Sequence, residues 1–147
     1  MSQASLFERS ERRVVVYFDG GARGNPGPAA IGAVVWDDDI DPPTRLASVS
    51  EYIGEATNNV AEYRAVIAGL EAALATGARR VLVRGDSLLV IEQLRGKWKV
   101  KNAALRLLHD EARTLLAQFD EVELEHVVRA YNADADALVN AALDAVS

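Results

Sequence analysis

The sequence predicts an α/β fold: a five-stranded mixed sheet, its first three strands antiparallel, with helices on both faces. Three observations predict it. Three β-branched and aromatic runs come first, separated only by turn-like segments. Apolar residues at helical spacing then alternate with two further strand-like runs. The 147 residues suffice for one hydrophobic core, and no internal repeat divides them. Residues 1–12 are polar and uneven and read as a flexible leader, so the expected domain is 13–147.

The first strand is the run VVVYF after Arg13. GGARGNPGP follows at once, and its Gly and Pro density demands a tight loop. AIGAVVW (30–36) is the second strand, the acidic DDDIDPP (37–43) an exposed turn, and RLASVSEYI (45–53) the third strand. After TNN (57–59), Val60, Val66, Ile67, Leu70 and Leu74 recur at helical spacing up to Gly77, a C-terminal cap. A helix is therefore expected over 59–76. RRVLVRG (79–85) reads as a short buried strand, SLLVIEQL (87–94) as a short helix and GKWKVKN (96–102) as a basic loop. Leu105, Leu108, Ala112, Leu115, Leu116 and Phe119 mark an amphipathic helix over 103–119. EVELEHVV (121–128) alternates as a strand, and ADADALVNAALDAV (133–146) closes the chain as a helix.

Composition narrows the chemistry. With no cysteine, the chain has no disulfides, thiolate metal sites or cysteine nucleophiles, and two histidines argue against a structural zinc site. No apolar run approaches the roughly 20 residues that span a bilayer, and the charged opening is unlike a signal peptide, so a cytoplasmic protein without membrane contact is expected. The net charge of −6 does not advertise polyanion binding, so any basic surface is local. Of 16 basic residues only three are lysines, and Lys97, Lys99 and Lys101 fall within five positions.

Four carboxylates occupy functional-looking places. Asp19 ends the first strand, Glu62 lies early in the long helix, Asp86 follows the fourth strand and Asp136 lies early in the last helix. Each of the first three also has a plain structural reading: a turn cap for Asp19, a capping box with Asn59 for Glu62, an N-cap for Asp86. The topology nevertheless brings the ends of strands one and four near two helix starts. Carboxylates converging there would repel and take up protons unless a cation neutralised them, and a hard oxygen-seeking ion such as Mg²⁺ suits them. Paired ions of that kind, roughly 3.5–4 Å apart, activate water and stabilise the leaving oxygen of a phosphodiester.

The stretches YFDGGARGNPGPAAIG, ATNNVAEYRAVIAGLEAAL, VRGDSLLVIEQL and HVVRAYNADADALVN, in that order and spacing, resemble type 1 ribonuclease H, nearest its archaeal-like bacterial branch, over residues 13–145. The resemblance implies a ribonuclease H-like fold and a two-Mg²⁺ endonuclease, with Mn²⁺ as a substitute. It would cut the RNA strand of an RNA/DNA hybrid to leave a 5′ phosphate and a 3′ hydroxyl. It further implies that Asp19 bridges both ions, Asp86 holds the ion on the nucleophile's side, and Glu62 and Asp136 serve the other. Asp134 is a neighbouring decoy; the N-x-x-A-D pattern from Asn132 selects Asp136. His126 stands where the family has a mobile histidine that assists proton transfer or product release, with a plain strand-end residue as the alternative. Arg129 stands where this branch has an arginine near the scissile phosphate.

Hybrid recognition rests on 2′-hydroxyls exposed in a wide, shallow minor groove. Gly20, Gly21, Arg23, Gly24 and Asn25 read as the close-approaching glycine loop. Asn58 and Asn59 resemble the family's minor-groove asparagines, and Thr57 its phosphate-pocket threonine on the DNA strand. Many relatives carry a basic residue two positions before that threonine, where this chain has Glu55. Arg95, Lys97, Lys99, Lys101 and Arg106, with no acid between them and Trp98 in their midst, read as a +5 phosphate-contacting patch. A solvated loop around a core Trp98 is the alternative. Double-stranded RNA is a second candidate partner, and a monomer is expected. Two rival functions remain open: a nucleotide-binding module cradling phosphate on GGARGNPG, which lacks the Lys-Ser/Thr of a P-loop, and a non-catalytic hybrid-binding domain, which the intact quartet disfavours.

Overall fold

The computed structural model describes residues 12–147, so the leader expected over 1–12 lies outside the described residues apart from Arg12. The strands are β1 (Arg13–Ala22), β2 (Gly27–Asp37), β3 (Thr44–Ala56), β4 (Arg80–Gly85) and β5 (Glu121–His126). The helices are α1 (Asn58–Ala75), α2 (Leu88–Leu94), α3 (Ala103–Leu116) and α4 (Ala133–Val146), the last preceded by a 3₁₀ turn over Arg129–Asn132. The sheet order is β3-β2-β1-β4-β5. The β1–β2 and β2–β3 pairs are antiparallel, and β4 lies parallel to both β1 and β5. This is the mixed sheet expected from the sequence. Among the described residues no helix is long and apolar enough to cross a membrane.

Period-two alternation along β1 sends Val14, Val16 and Phe18 into the main core, where Tyr63, Val66 and Leu70 of α1 meet them. Full burial of each such side chain stabilises the fold by about 1.5–3 kcal/mol. Leu105, Ala112 and Leu116 of α3 extend this core. On the opposite face, Ala30 of β2 packs with Val139, Ala142 and Leu143 of α4. Helix α4 sits close because β2 has glycine beneath it: a Cβ at residue 32 would lie 2.3 Å from the Ala135 carbonyl oxygen. Helices thus cover both faces.

Element ends follow local chemistry. Thr57 Oγ1 accepts from Val60 N–H (3.2 Å) and starts α1 one residue earlier than expected. Gly77, at φ 86°, ends it in the left-handed conformation that favours glycine. The glycine run departs from expectation. Gly20 and Gly21 are strand residues paired with Ile31 and Ala30, and the turn shrinks to residues 23–26, closed by Arg23 N–H to the Pro28 carbonyl (2.8 Å). Ladder hydrogen bonds across the hairpin outweigh the weak strand preference of glycine. Helix α3 stops at Leu116, and β5 at His126.

The edge strand β5 is mostly exposed. Arg80 pairs with Glu121 (2.8 Å) and Arg84 with Glu125 (2.9 Å), each directly across the ladder. These two pairs define the register against β4, since a one-residue slip would part both.

Candidate active site

The last pairing of β1 with β4 joins Phe18 to Gly85, and each is followed by an aspartate. Parallel register therefore sets Asp19 and Asp86 side by side where the β1–β4 ladder stops; β1 itself runs on to Ala22, paired with β2, so Asp19 lies within the strand and not at its end as the sequence suggested. Glu62 arrives from the second turn of α1. Gly20 lets it approach: a Cβ there would lie 2.2 Å from the Ala61 carbonyl carbon and 2.5 Å from Glu62 N. One carboxylate oxygen from each of Asp19, Glu62 and Asp86 lies within 4.8 Å of the others. Asp136 faces the same cleft from α4, near enough for its charge to act on the Asp19 carboxyl. The four carboxylates line one cleft of about 470 Å³.

The plain structural readings give way here. Thr57, not Asn59, caps α1, so Glu62 belongs to no capping box; Ser87, not Asp86, caps α2 by accepting from Val90 N–H (3.3 Å). In each case a hydroxyl at the turn takes the capping bond and leaves the acid free for the cleft.

Burial, then the charges of Asp86 and Asp136, push the Asp19 carboxyl up to about 7. Burial, then Asp19 and Asp86, likewise push Glu62 well above the usual range, and the Gly20 N–H bond opposes this only in part. Glu62 Oε2 is sealed from solvent without a hydrogen-bond partner. An orphaned carboxylate oxygen beside an aspartate whose charge is disfavoured fits a hard divalent cation, which offers both a bond and opposing charge at the same atoms.

Asp136 Oδ1 accepts from Arg129 Nη2 (3.3 Å), and its Oδ2 from Asn140 Nδ2 (3.4 Å). Asp134 turns away to Arg45 on β3 (3.6 Å). Arg129 lines the cleft, as do Gly20, Gly21, Arg23 and Asn58. His126, the last residue of β5, is exposed opposite Gly85 in the ladder and is not among the lining residues. Arg23 is tied to Asp144 of α4 (2.6 Å). Gly24 takes φ 98° in the turn, and Asn25 Oδ1 accepts from Asn58 N–H (3.1 Å) while Asn58 Oδ1 accepts from Ala22 N–H (2.8 Å). These bonds lash the hairpin to the start of α1, where Thr57 and Asn59 are exposed.

Lys97, Trp98, Lys99 and Lys101 lie outside the cleft, on the exposed loop between α2 and α3. Trp98 is 45% exposed, so it is not a core residue. Arg95 is neutralised by Glu92 (2.5 Å), which reduces the expected patch from +5 to +4. Two roles escaped sequence reasoning, which used Asn132 only to mark Asp136. Asn132, buried, donates from Nδ2 to the Phe18 carbonyl (2.8 Å) and so ties the start of α4 to the strand that carries Asp19. Asn140 steadies Asp136; the i, i+4 spacing on one helix was the available signal.

The mixed five-stranded sheet with its acidic cleft goes with a family match: a model described as reverse transcriptase-like covers residues 17–142. The chain is 50% identical over 132 residues to ribonuclease HI of Halobacterium salinarum (90% of this chain, 65% of that protein). It is 51% identical over 135 residues to a bifunctional protein of Mycobacterium tuberculosis, covering 92% of this chain but spanning only 36% of that protein's length. The solved N-terminal ribonuclease H domain of that mycobacterial protein shares 52% identity (TM-score 0.86; 90% of this chain, 99% of that one). A ribonuclease H1 isolated from compost, solved in complex with an RNA/DNA hybrid, shares 41% (TM-score 0.84; 91% and 99%). The chain belongs to the type 1 ribonuclease H family.

Proposed function

We propose that the protein is an endonuclease that hydrolyses the RNA strand of RNA/DNA hybrids with two Mg²⁺ ions, leaving 5′-phosphate and 3′-hydroxyl ends. The observation that carries this reading is the convergence of Asp19, Glu62 and Asp86 with an orphaned Glu62 oxygen. Support for the substrate comes from the hybrid-bound relative at 41% identity. Asp19 would serve both ions, Asp86 the one on the nucleophile's side, and Glu62 with Asp136 the other; Mn²⁺ suits the same oxygens. When bound, such ions acidify water and stabilise the leaving oxygen of a phosphodiester.

The remaining work falls to the chain's own groups. Arg129, anchored on Asp136, directs its guanidinium at the scissile phosphate. His126, exposed at the end of β5, would assist proton transfer or product release. Water adds to phosphorus, the P–O3′ bond breaks, and the 3′ oxygen takes the proton. Gly20, Gly21, Arg23, Gly24 and Asn25 approach the minor groove with Asn58 and Asn59, while Thr57 meets a DNA phosphate through its hydroxyl proton. Lys97, Lys99 and Lys101 grip further phosphates, with Trp98 against a sugar.

The test is gel-resolved cleavage of one sequence prepared as RNA/DNA hybrid, double-stranded RNA and double-stranded DNA, with Mg²⁺, Mn²⁺ or EDTA. Internal cuts confined to the RNA strand and abolished by EDTA are expected. Asp86→Asn should lower the rate by about a hundredfold or more without loss of Tm. A full-speed Asp86→Asn enzyme, or hybrid binding without cleavage, would overturn the reading.

A further inference from the structure

The loop between α2 and α3 carries three unneutralised lysines, Lys97, Lys99 and Lys101, and Arg106 follows in the first turn of α3. Such a segment repels itself, and no ion pair among the described residues holds the three lysines. Its backbone is held instead. The Glu92 carbonyl accepts from both Lys97 N–H (3.0 Å) and Trp98 N–H (3.3 Å). Gln93 Nε2 donates to the Lys99 carbonyl (3.2 Å), and Gln93 Oε1 accepts from the Tyr63 hydroxyl (2.5 Å). Tyr63 and Gln93 are both buried. An amide with its oxygen taken by a hydroxyl and its NH₂ taken by a carbonyl has one orientation only. Packing alone would need just an apolar side chain of similar volume there, so the polar pair serves shape rather than burial.

Tyr63 is also the residue after Glu62. Helix α1 therefore presents Glu62 to the carboxylate cleft and, one step on, Tyr63 to the bond that fixes the loop. We infer that Gln93, oriented by Tyr63, is a positioning residue for nucleic-acid binding, holding the 97–101 backbone so that the three lysines meet the phosphates of a duplex seated at the carboxylate cleft. This rests on the nuclease reading and on the loop as its phosphate contact. The distance between the cut phosphodiester and the gripped phosphates is then set by one helix. A loop free to move would lose the grip through ordering entropy, not through charge.

The experiment measures kcat, KM and the salt dependence of KM on a hybrid for Gln93→Leu, Tyr63→Phe and a variant with all three lysines changed to Ser. Gln93→Leu should raise KM about fivefold, the size of a lost hydrogen bond, flatten the salt dependence toward that of the triple variant, and leave kcat within about twofold. Tyr63→Phe should move KM in the same direction. In the triple-Ser background, Gln93→Leu should add nothing to KM. A triple variant with altered salt dependence beside unchanged Gln93→Leu and Tyr63→Phe enzymes would overturn the positioning role and spare the loop's. A fall in kcat that tracks a fall in Tm would also overturn it, making Gln93 a residue of the core alone. A triple variant with wild-type salt dependence would remove the phosphate contact itself and this inference with it. Should Gln93→Leu fail to fold, Tyr63→Phe keeps the ring and carries the test.

Discussion

At Asp19, three effects meet in one side chain: burial, then the charges of Asp86 and Asp136, together raising its pKa from 3.8 to about 7. The folded, metal-free protein thus holds this proton more tightly than the unfolded chain. The stability tied to it is full below pH 3.8 and is lost as pH rises through about 7. In EDTA, Asp19→Asn should therefore raise the Tm at pH 8 by more than at pH 5, by about 3 °C for each kcal/mol relieved. Wild-type protein should in turn gain more Tm from Mg²⁺ at pH 8, where ion and proton no longer compete. Differential scanning calorimetry at the two pH values checks this; equal shifts would remove the electrostatic account. The acidic residues were legible because carboxylates at strand ends and helix starts stand out along a chain. The role of Asn132 was not, because it depends on an approach between segments that only the fold creates: Asn132 bonds a carbonyl 114 residues away.

Elements meet at glycines here. Gly20 admits α1 to β1 and Gly32 admits α4 to β2, so the two helices that deliver Glu62 and Asp136 are seated by missing side chains. Gly32→Ala should push α4 outward, since its Cβ would fall 2.3 Å from the Ala135 oxygen and 3.0 Å from Leu138 Cβ. Overpacking of this kind costs about 1–3 kcal/mol, or a Tm loss of about 3–10 °C. Because Asp136 moves with the helix, kcat should fall while KM for the hybrid changes little. A variant that loses stability yet keeps full kcat would show that α4 tolerates displacement. Among the described residues the five strands and four α-helices were legible from periodicity and turn chemistry, but the glycine hairpin was misplaced. Local composition says loop at Gly20 and Gly21; the reason for glycine at 20 is a helix packed against it, which is a tertiary fact.

For the whole molecule, net charge and local charge have opposite signs. A −6 protein repels a duplex at long range, so binding leans on the exposed lysine loop. Changing Lys97, Lys99 and Lys101 to Ser should raise KM, change kcat little, and lower the slope of log KM against log salt by about two to three, at roughly 0.7–0.9 per phosphate contact. Steady-state kinetics across a KCl series reads this directly, and an unchanged slope would return the loop to plain solvated surface. The patch was visible in the sequence as clustered lysines. Its true charge was not read, because Glu92 lies outside the basic run, three residues before Arg95, and only the folded helix shows the two side chains paired. The sheet order followed from the sequence as far as the antiparallel trio and the parallel returns.

The register pairs on β5 have an outward consequence. As an edge strand, β5 offers backbone donors and acceptors to a second chain, the usual template for aggregation, although Arg95 donates to the Leu124 carbonyl. Glu121, Glu123 and Glu125 occupy alternate positions along it. A second copy paired in the register that sets these positions opposite one another would bring acid against acid, which discourages runaway sheet growth. The glutamates that lock the strand to its inner neighbour thereby also act as gatekeepers at its outer border.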